Sequence, residues 1–492
     1  MAISTAISSA AVARAVAIKT QYKKVLPANV TLLPQRLAIV GQGSDNAVYS
    51  LTKRRVTSAF EVGSLYGYGS PLHLSALEVL PANGDGVGAI PVTIYPMASA
   101  VGAVESISII TPSGTVTKSG AYTVKISATA SKQFTVLVGD SVASINAKMA
   151  TALNAVLSMP MVSSDLGTAV ELKAKWSGVS SNGLSVSVEG PSDTGITFAI
   201  AQPAGGLINP DVSVPLAQMG DIWDSMVLNC LDPLDIVALT AYQEFGEGRW
   251  GALTRRPLVV FTGTNESDVS VASAIPETRK LDRVNAYLVA PGCENLPLQI
   301  AAACLSRIIV SANSRPANDY GSLTVPRLTA GTDAQQWDYP TRDLAVTSGC
   351  STTTLRDGVV TLSDVVTFYH PDGEEPPAYR YVVDIVKLQN VIHSTDRIFE
   401  TREWDGVPLI PDGQASVEPT AKHPHNAVSE VGTMLDGLGS LALISDPSTA
   451  KKLTVAQIDP SNPKRLDIVI QVQLSNNANI ISIDLNFSFF FG

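Results

Sequence analysis

MVLN (226–229), PLVVFTGT (257–264) and NAYLVAPG (285–292) are three short apolar runs, and helical patterns lie between and after them: LDIVALTAYQEFGEGRW, SVASAIPETRKL and LPLQIAAACLSRIIVSA. Apolar strands alternating with helices imply a parallel sheet covered on both faces. The segment 296–312 is apolar nearly all round, which places it in a core or an interface. Toward the N-terminus, QRLAIVGQGS and IPVTIY (90–95) supply further strands. Between them Ser70-Pro71 suits a helix start, with Pro at the first helical position. Leu72, Ala76, Leu77 and Leu80 share one face until Pro81 and the Asn83-Gly84 turn end that helix.

Around residue 97 the texture changes. Up to about 210, Ser, Thr, Gly and Val dominate, and short alternating strands appear: ESISIIT, AYTVKISA, QFTVLVG, VELKAKWSG, LSVSVEG and ITFAIA. One helix, in GDSVASINAKMATALNAVL, is capped by Asp140 or Ser141 and lines up Val142, Ile145, Met149, Ala152, Leu153 and Val156. This reads as a separate, mostly β domain inserted into the α/β core. From about 331, STTTLRDGVVTLSD reads as a hairpin turning at Asp357-Gly358. Residues 378–404 then read as one long helix, and LDIVIQVQL (466–474) as a strand. The division expected is an arm at 1–30, core at 31–96, the β insertion at 97–210, α/β core at 211–330, a C-terminal α+β domain at 331–479 and a second arm at 480–492.

Charged residues are 16% of the chain and the mean hydropathy is +0.19, against about 25% charged in ordinary soluble domains. No stretch offers the roughly 20 apolar residues of a membrane helix. A chain so poor in charge is expected to cover its surface with copies of itself. The net charge of −10 leaves no basic surplus for general nucleic-acid binding. Residues 1–24 resemble a signal peptide superficially, but Arg14 and Lys19 interrupt the apolar part, so secretion is not expected. Cys230, Cys293, Cys304 and Cys350 have no CxxC spacing and read as free, buried thiols.

Catalytic patterns are weak. Gly41-Gln42-Gly43 ends a strand, but the third position of a dinucleotide fingerprint is Asn46, and no acidic partner follows on a clear second strand. The glycines read as a strand-ending turn. His423-Pro424-His425 could ligate a metal, yet no Cys or further His is near and the segment reads as a polar loop. No catalytic residue, cofactor or metal is assigned. A cofactor-binding enzyme rests on residues 211–330 alone, and an adhesin-like module on the β insertion alone.

The C-terminus, IISIDLNFSFFF (480–491), carries the cleanest alternation in the chain. Ile481, Ile483, Leu485, Phe487, Phe489 and Phe491 face one way, and Ser482, Asp484, Asn486 and Ser488 the other. It reads either as an edge strand folded on its own domain or as a strand given to a neighbour's sheet. Burying six apolar side chains contributes roughly 12 kcal/mol and about five ladder bonds roughly 5 kcal/mol. Ordering about twelve residues costs roughly 12–24 kcal/mol. One such arm is near break-even, and many linked arms hold together.

Taken in order, these segments resemble contractile-tail sheath proteins, particularly the phage Mu-like type. The resemblance rests on LPQRLAIVGQGS, FEVGSLYGYGSPLHLSALEVLPANG, AKWSGVSSNGLSVSVEG, GCSTTTLRDGVVTLSDVVTFYHPDG, AYRYVVDIVKLQNVI and RLDIVIQVQL…ISIDLNFSF. It implies a non-enzymatic subunit that forms a helical sheath of stacked rings around a tail tube. Such a sheath contracts to drive the tube through the host envelope. Partners would be further copies of the chain, the tube protein, and baseplate and tail terminator proteins, without direct nucleic-acid contact or membrane insertion. Assembly in the bacterial host cytoplasm into a virion tail follows from the same resemblance. The sheath of a phage-like bacteriocin or secretion-type injector is the related alternative. Mapped onto this chain, the self-association residues are Ile3, Ile7, Val12, Val16 and Ile18 in the N-terminal arm, and Ile468, Ile470, Val472 and Leu474 in the receiving strand. Ile481, Ile483, Leu485, Phe487 and Phe489 complete the set in the C-terminal arm. Arg380, Lys387, Arg397 and Arg402 on the long helix are the candidates for tube contact.

Overall fold

The computed structural model describes residues 30–374 and 376–485. The predicted apolar runs become the middle of one sheet. Strand β1 (Leu37–Gln42) is buried at every position, as is β3 (Val92–Met97), while β2 (Arg54–Val56) is a short edge. The helix predicted after Ser70 spans Pro71–Val79, with the Ser70 hydroxyl accepting from the His73 amide.

Between β3 and the next core strand lies the insertion: β4 (Glu105–Gly114), β5 (Gly120–Ile126), β6 (Ala130–Val136), β7 (Met161–Asp165), β8 (Val170–Ser177), β9 (Val186–Glu189) and β10 (Ile196–Ala204). These form a four-stranded antiparallel sheet, β10-β4-β8-β7, and a three-stranded one, β6-β5-β9. Helix Val142–Asn154 buries Ile145, Met149 and Leu153 against them, and Ser141 is its cap. Strand β7 was not anticipated, because MVSSD has only one strongly apolar alternation. The fully buried Trp176 indole donates to Ser180 Oγ at 3.1 Å.

The core resumes with β11 (Met226–Asn229), β12 (Val259–Thr264), β13 (Asn285–Val289), β14 (Cys350–Arg356) and β15 (Val359–Asp364). The eight strands run β15-β14-β13-β12-β11-β1-β3-β2. All pairings from β3 to β14 are parallel, and only the two edges are antiparallel. Residues alternate between two apolar layers, as the pleat requires. Leu37, Ile39, Leu228, Phe261 and Leu288 face one way with helix Pro297–Ser314. Ala38, Val40, Val227 and Val260 face the other, toward Tyr242 of helix Ile236–Arg249 and Met219 of helix Ser213–Met219. The all-round apolar character of 296–312 is thereby explained, since Leu298, Ile300, Cys304, Leu305, Ile308 and Ile309 are all buried. SVASAIPETRKL breaks at Ser273 into two single turns.

Two expectations shift. The hairpin turning at Asp357-Gly358 does form, but β14 pairs in parallel with β13 (Tyr287↔Cys350, Leu288↔Ser351), so the main sheet continues past residue 331. Among the described residues, the compact units are 32–393 with 474–485, and 30–31 with 394–473. The long helix spans Val382–Phe399, because Tyr381 bridges Val366 and the Arg380 carbonyl accepts from the Thr367 amide. In the smaller unit, helices Pro424–Ser440 and Pro447–Leu453, β16 (Ile444–Ser445) and an antiparallel hairpin of β17 (Val455–Ile458) with β18 (Leu466–Val469) surround Val431, Leu435 and Leu438.

Gly263 sits where helix Pro297–Ser314 crosses the sheet: a Cβ there would lie 2.0 Å from the Pro297 carbonyl oxygen. Gly263→Ala is expected to lower the unfolding free energy by about 1–3 kcal/mol in denaturant titration. Gly248 is exposed on its helix with nothing near it, so Gly248→Ala should raise it by about 0.5–1 kcal/mol. His73 is buried, its Nδ1 accepting from the Gly69 amide at 3.0 Å. Burial, with Lys175 nearby, depresses its pKa from 6.5 to about 4. On acidification the unfolded chain therefore takes up this proton first. The contribution of about 3 kcal/mol is intact above pH 6.5 and lost progressively toward pH 4; His73→Gln should flatten that part of the stability profile.

Candidate assembly surface

The C-terminal segment starts from a buried cation. Lys387, on helix Val382–Phe399, is wholly buried. Its ammonium donates to Asp384 Oδ1 at 3.0 Å, to the Ser475 carbonyl at 2.5 Å and to Asn477 Oδ1 at 2.6 Å. An ammonium has three N–H groups, and all three are used. Asn477 in turn donates to the Ala317 carbonyl at 2.9 Å. A buried charge without such partners would cost several kcal/mol. The lysine therefore specifies where residues 475–477 must lie.

Beyond this clamp the chain leaves the body. Residues 480–485 form no strand, and Ile480, Ile481, Ile483 and Leu485 are 76–81% exposed. A run of exposed branched aliphatics outside any strand is a template for pairing with another chain. Ile481, Ile483 and Leu485 are thus accessible, whereas Phe487 and Phe489, with Ile3, Ile7, Val12, Val16 and Ile18, lie outside the described residues.

The predicted receiving strand is shorter than expected. Only Leu466–Val469 joins a ladder with β17, in the register Val455↔Val469 and Ala456↔Ile468. Ile468, Ile470, Val472 and Leu474 are half-buried, while Val469 and Val455 are 51% and 57% exposed. Among the described residues the β17–β18 sheet has two strands, so each has a second edge without a strand beside it.

The proposed tube-facing set is corrected in part. Lys387 cannot face a partner, because burial and three internal bonds consume its ammonium. Arg380 precedes the helix rather than lying on it, and Arg402 follows its end. Arg397 and Arg402 are exposed.

The crevice at the carboxyl ends of β11, β12 and β13 is where doubly wound sheets bind ligands. It encloses about 370 Å³, lined by Asp232, Asn265, Glu266 and Tyr287 among apolar side chains and by no Lys or Arg. Two carboxyl groups without a lysine or arginine give a phosphate no cationic side chain to pair with. The Gly41-Gln42-Gly43 turn is filled by the protein itself. The Gly43 amide donates to Tyr49 Oη at 3.1 Å, and Gln42 Nε2 donates to the Ser177 carbonyl at 3.0 Å. A Cβ on Gly41 would lie 2.9 Å from Cys230 Cβ, so packing accounts for this glycine. Burial pushes the Cys230 thiol up to about 12; all four cysteines are buried and free.

Contractile-tail sheath proteins are the class with which this surface and the sequence resemblance agree, and a curated relative bears the resemblance out. It is the Mu-like prophage FluMu tail sheath protein of Haemophilus influenzae, 22% identical over 451 residues that cover 88% of each chain. No protein-family model matches. Among solved structures, the chain is similar to a sheath tail protein from Listeria innocua (TM-score 0.48, 11% identity, 92% of this chain and 94% of that one). Another is a sheath tail protein from Desulfitobacterium hafniense (TM-score 0.48, 11% identity, 94% and 100%). A third is the contracted helical sheath of the anti-feeding prophage (TM-score 0.47, 9% identity, 98% and 100%).

Replacing Lys387 by Met should lower stability by about 1.5–3 kcal/mol, the worth of its charged hydrogen bonds. Hydrogen exchange of residues 475–479 should accelerate while the 382–399 helix keeps its protection. Equal acceleration throughout both segments would show that the lysine supports the helix, not the segment.

Proposed function

We propose that this chain is a tail sheath subunit that polymerises around a tail tube in an extended state and contracts to drive the tube through a host envelope for genome delivery. The observation that carries the reading is the 480–485 segment, with exposed aliphatic side chains and no β partner among the described residues, held at its base by Lys387. In the assembled sheath this segment and the N-terminal arm add strands to the β17–β18 hairpin of neighbouring copies, which hold the lattice while subunits shift. No nucleotide is needed, because the extended lattice stores the energy of the stroke.

Several finer points belong to the same proposal. The sheath is a helical stack of rings, built in the bacterial host cytoplasm into a virion tail and bounded by baseplate and terminator proteins. Arg397 and Arg402 contact the tube protein. The β insertion, as the outer domain, takes no part in strand exchange. Among the described residues, no helix is long and apolar enough to cross a membrane.

Deletion of residues 480–492 tests the proposal. The full chain alone should form hollow striated tubes under negative stain. The truncated chain should keep its circular dichroism and melting transition and yet remain monomeric. Tubes of unchanged yield from the truncated chain would refute strand donation by this arm.

A further inference from the structure

Residues 411–425 of the smaller unit bring three groups together that the sequence keeps apart. One ligating atom from each of Asp412, His423 and His425 lies within 4.8 Å of the others. We propose that His423 and His425 bind a divalent transition-metal ion such as Zn²⁺ or Ni²⁺, with Asp412 as the carboxylate that orients the pair. This is independent of the sheath reading.

The hydrogen bonds fix the protonation pattern such a site needs. His425 Nδ1 is 2.8 Å from Asp412 Oδ1, and His423 Nδ1 is 3.0 Å from the Pro411 carbonyl oxygen. An ionised carboxylate and a carbonyl only accept, so each Nδ1 donates, and in the neutral imidazole that leaves the lone pair on Nε2. A histidine that gives one nitrogen to a carboxylate or carbonyl and offers the other is the usual arrangement around bound metals. The two rings stack with centroids 5.1 Å apart and planes at 30°.

Their backbones are held as well. Both residues flank Pro424, the first residue of helix Pro424–Ser440. The His423 amide donates to Asn426 Oδ1 at 2.7 Å, and the His425 amide donates to Asp412 Oδ1 at 3.1 Å. Little ordering is therefore left for an ion to impose. Imidazole nitrogen selects Zn²⁺, Ni²⁺ or Cu²⁺ over Mg²⁺ and Ca²⁺, which take oxygen ligands. Asp412 and His425 are exposed, which leaves the remaining coordination positions to water or to a donor from another molecule. Bound there, the ion would bridge the two imidazoles on either side of Pro424 at the start of the helix.

Calorimetric titration of the full, untagged, chelator-treated chain with Zn²⁺ and Ni²⁺ alone tests this. One saturable equivalent per chain is expected, and none with Mg²⁺. His423→Ala and His425→Ala should each weaken binding at least about tenfold, and Asp412→Asn about tenfold, with unchanged circular dichroism. Asp412→Glu should recover part of that loss. Absence of saturable binding, as a plain histidine–aspartate ion pair would give, overturns the proposal. So does binding that persists in the doubly substituted His423→Ala, His425→Ala chain. Unchanged affinity in Asp412→Asn overturns its orienting role.

Discussion

Everything the C-terminal segment does depends on one buried ammonium. Lys387 spends all three of its N–H groups on its own helix and on residues 475 and 477. A cation with no exposure tolerates no other arrangement of its acceptors. The point of departure of the chain is therefore fixed, while residues 480–485 join no strand among the described residues. A segment held at its base, with exposed aliphatic side chains beyond it, is suited to pairing with another copy. By the estimate of burial against ordering, one such segment would be near break-even, and the proposed lattice would draw its cohesion from many acting at once.

The body behind this segment is built for stiffness. Six neighbouring strands run parallel, buried on both faces, and the helix Pro297–Ser314 packs so closely that Gly263 leaves no room for a methyl group. The turn that would serve a nucleotide in an enzyme of this topology is taken up by Tyr49 and Gln42, and the crevice beside it is lined by the carboxyl groups of Asp232 and Glu266.

Much of the parallel core was legible in the sequence because strands buried on both faces are continuous apolar runs, and LAIVG, MVLN, PLVVFTGT and NAYLVAPG need no context to be read. The Ser70-Pro71 start and the Asp357-Gly358 turn were legible for the same local reason. Pairing was not. Nothing in STTTLRDGVVTLSD says that its first strand will lie beside Tyr287 and Leu288, and so the sheet was cut short at 331. The helix at 424–440 was passed over although Ala427, Val431, Leu435 and Leu438 recur at helical spacing behind Pro424. Its glycines and polar residues masked the pattern. Lys387 was misplaced because a lysine on a helix is ordinarily solvated, and only the fold shows that residues 475 and 477 return to it. Asp412 escaped notice beside His423 and His425 for a similar reason: the fold closes an eleven-residue gap.

The central claim, that residues 480–485 pair with the β17–β18 hairpin of a neighbouring copy, is tested most directly by cross-linking. Cysteine would be placed at 483 and, in separate variants, at 467, 468 or 469, in a chain whose four native thiols are buried. Oxidation of assembled tubes should give a ladder of covalent oligomers for at least one pair and only monomers before assembly. Tubes that form normally but yield no intermolecular disulfide from any pair would contradict the account.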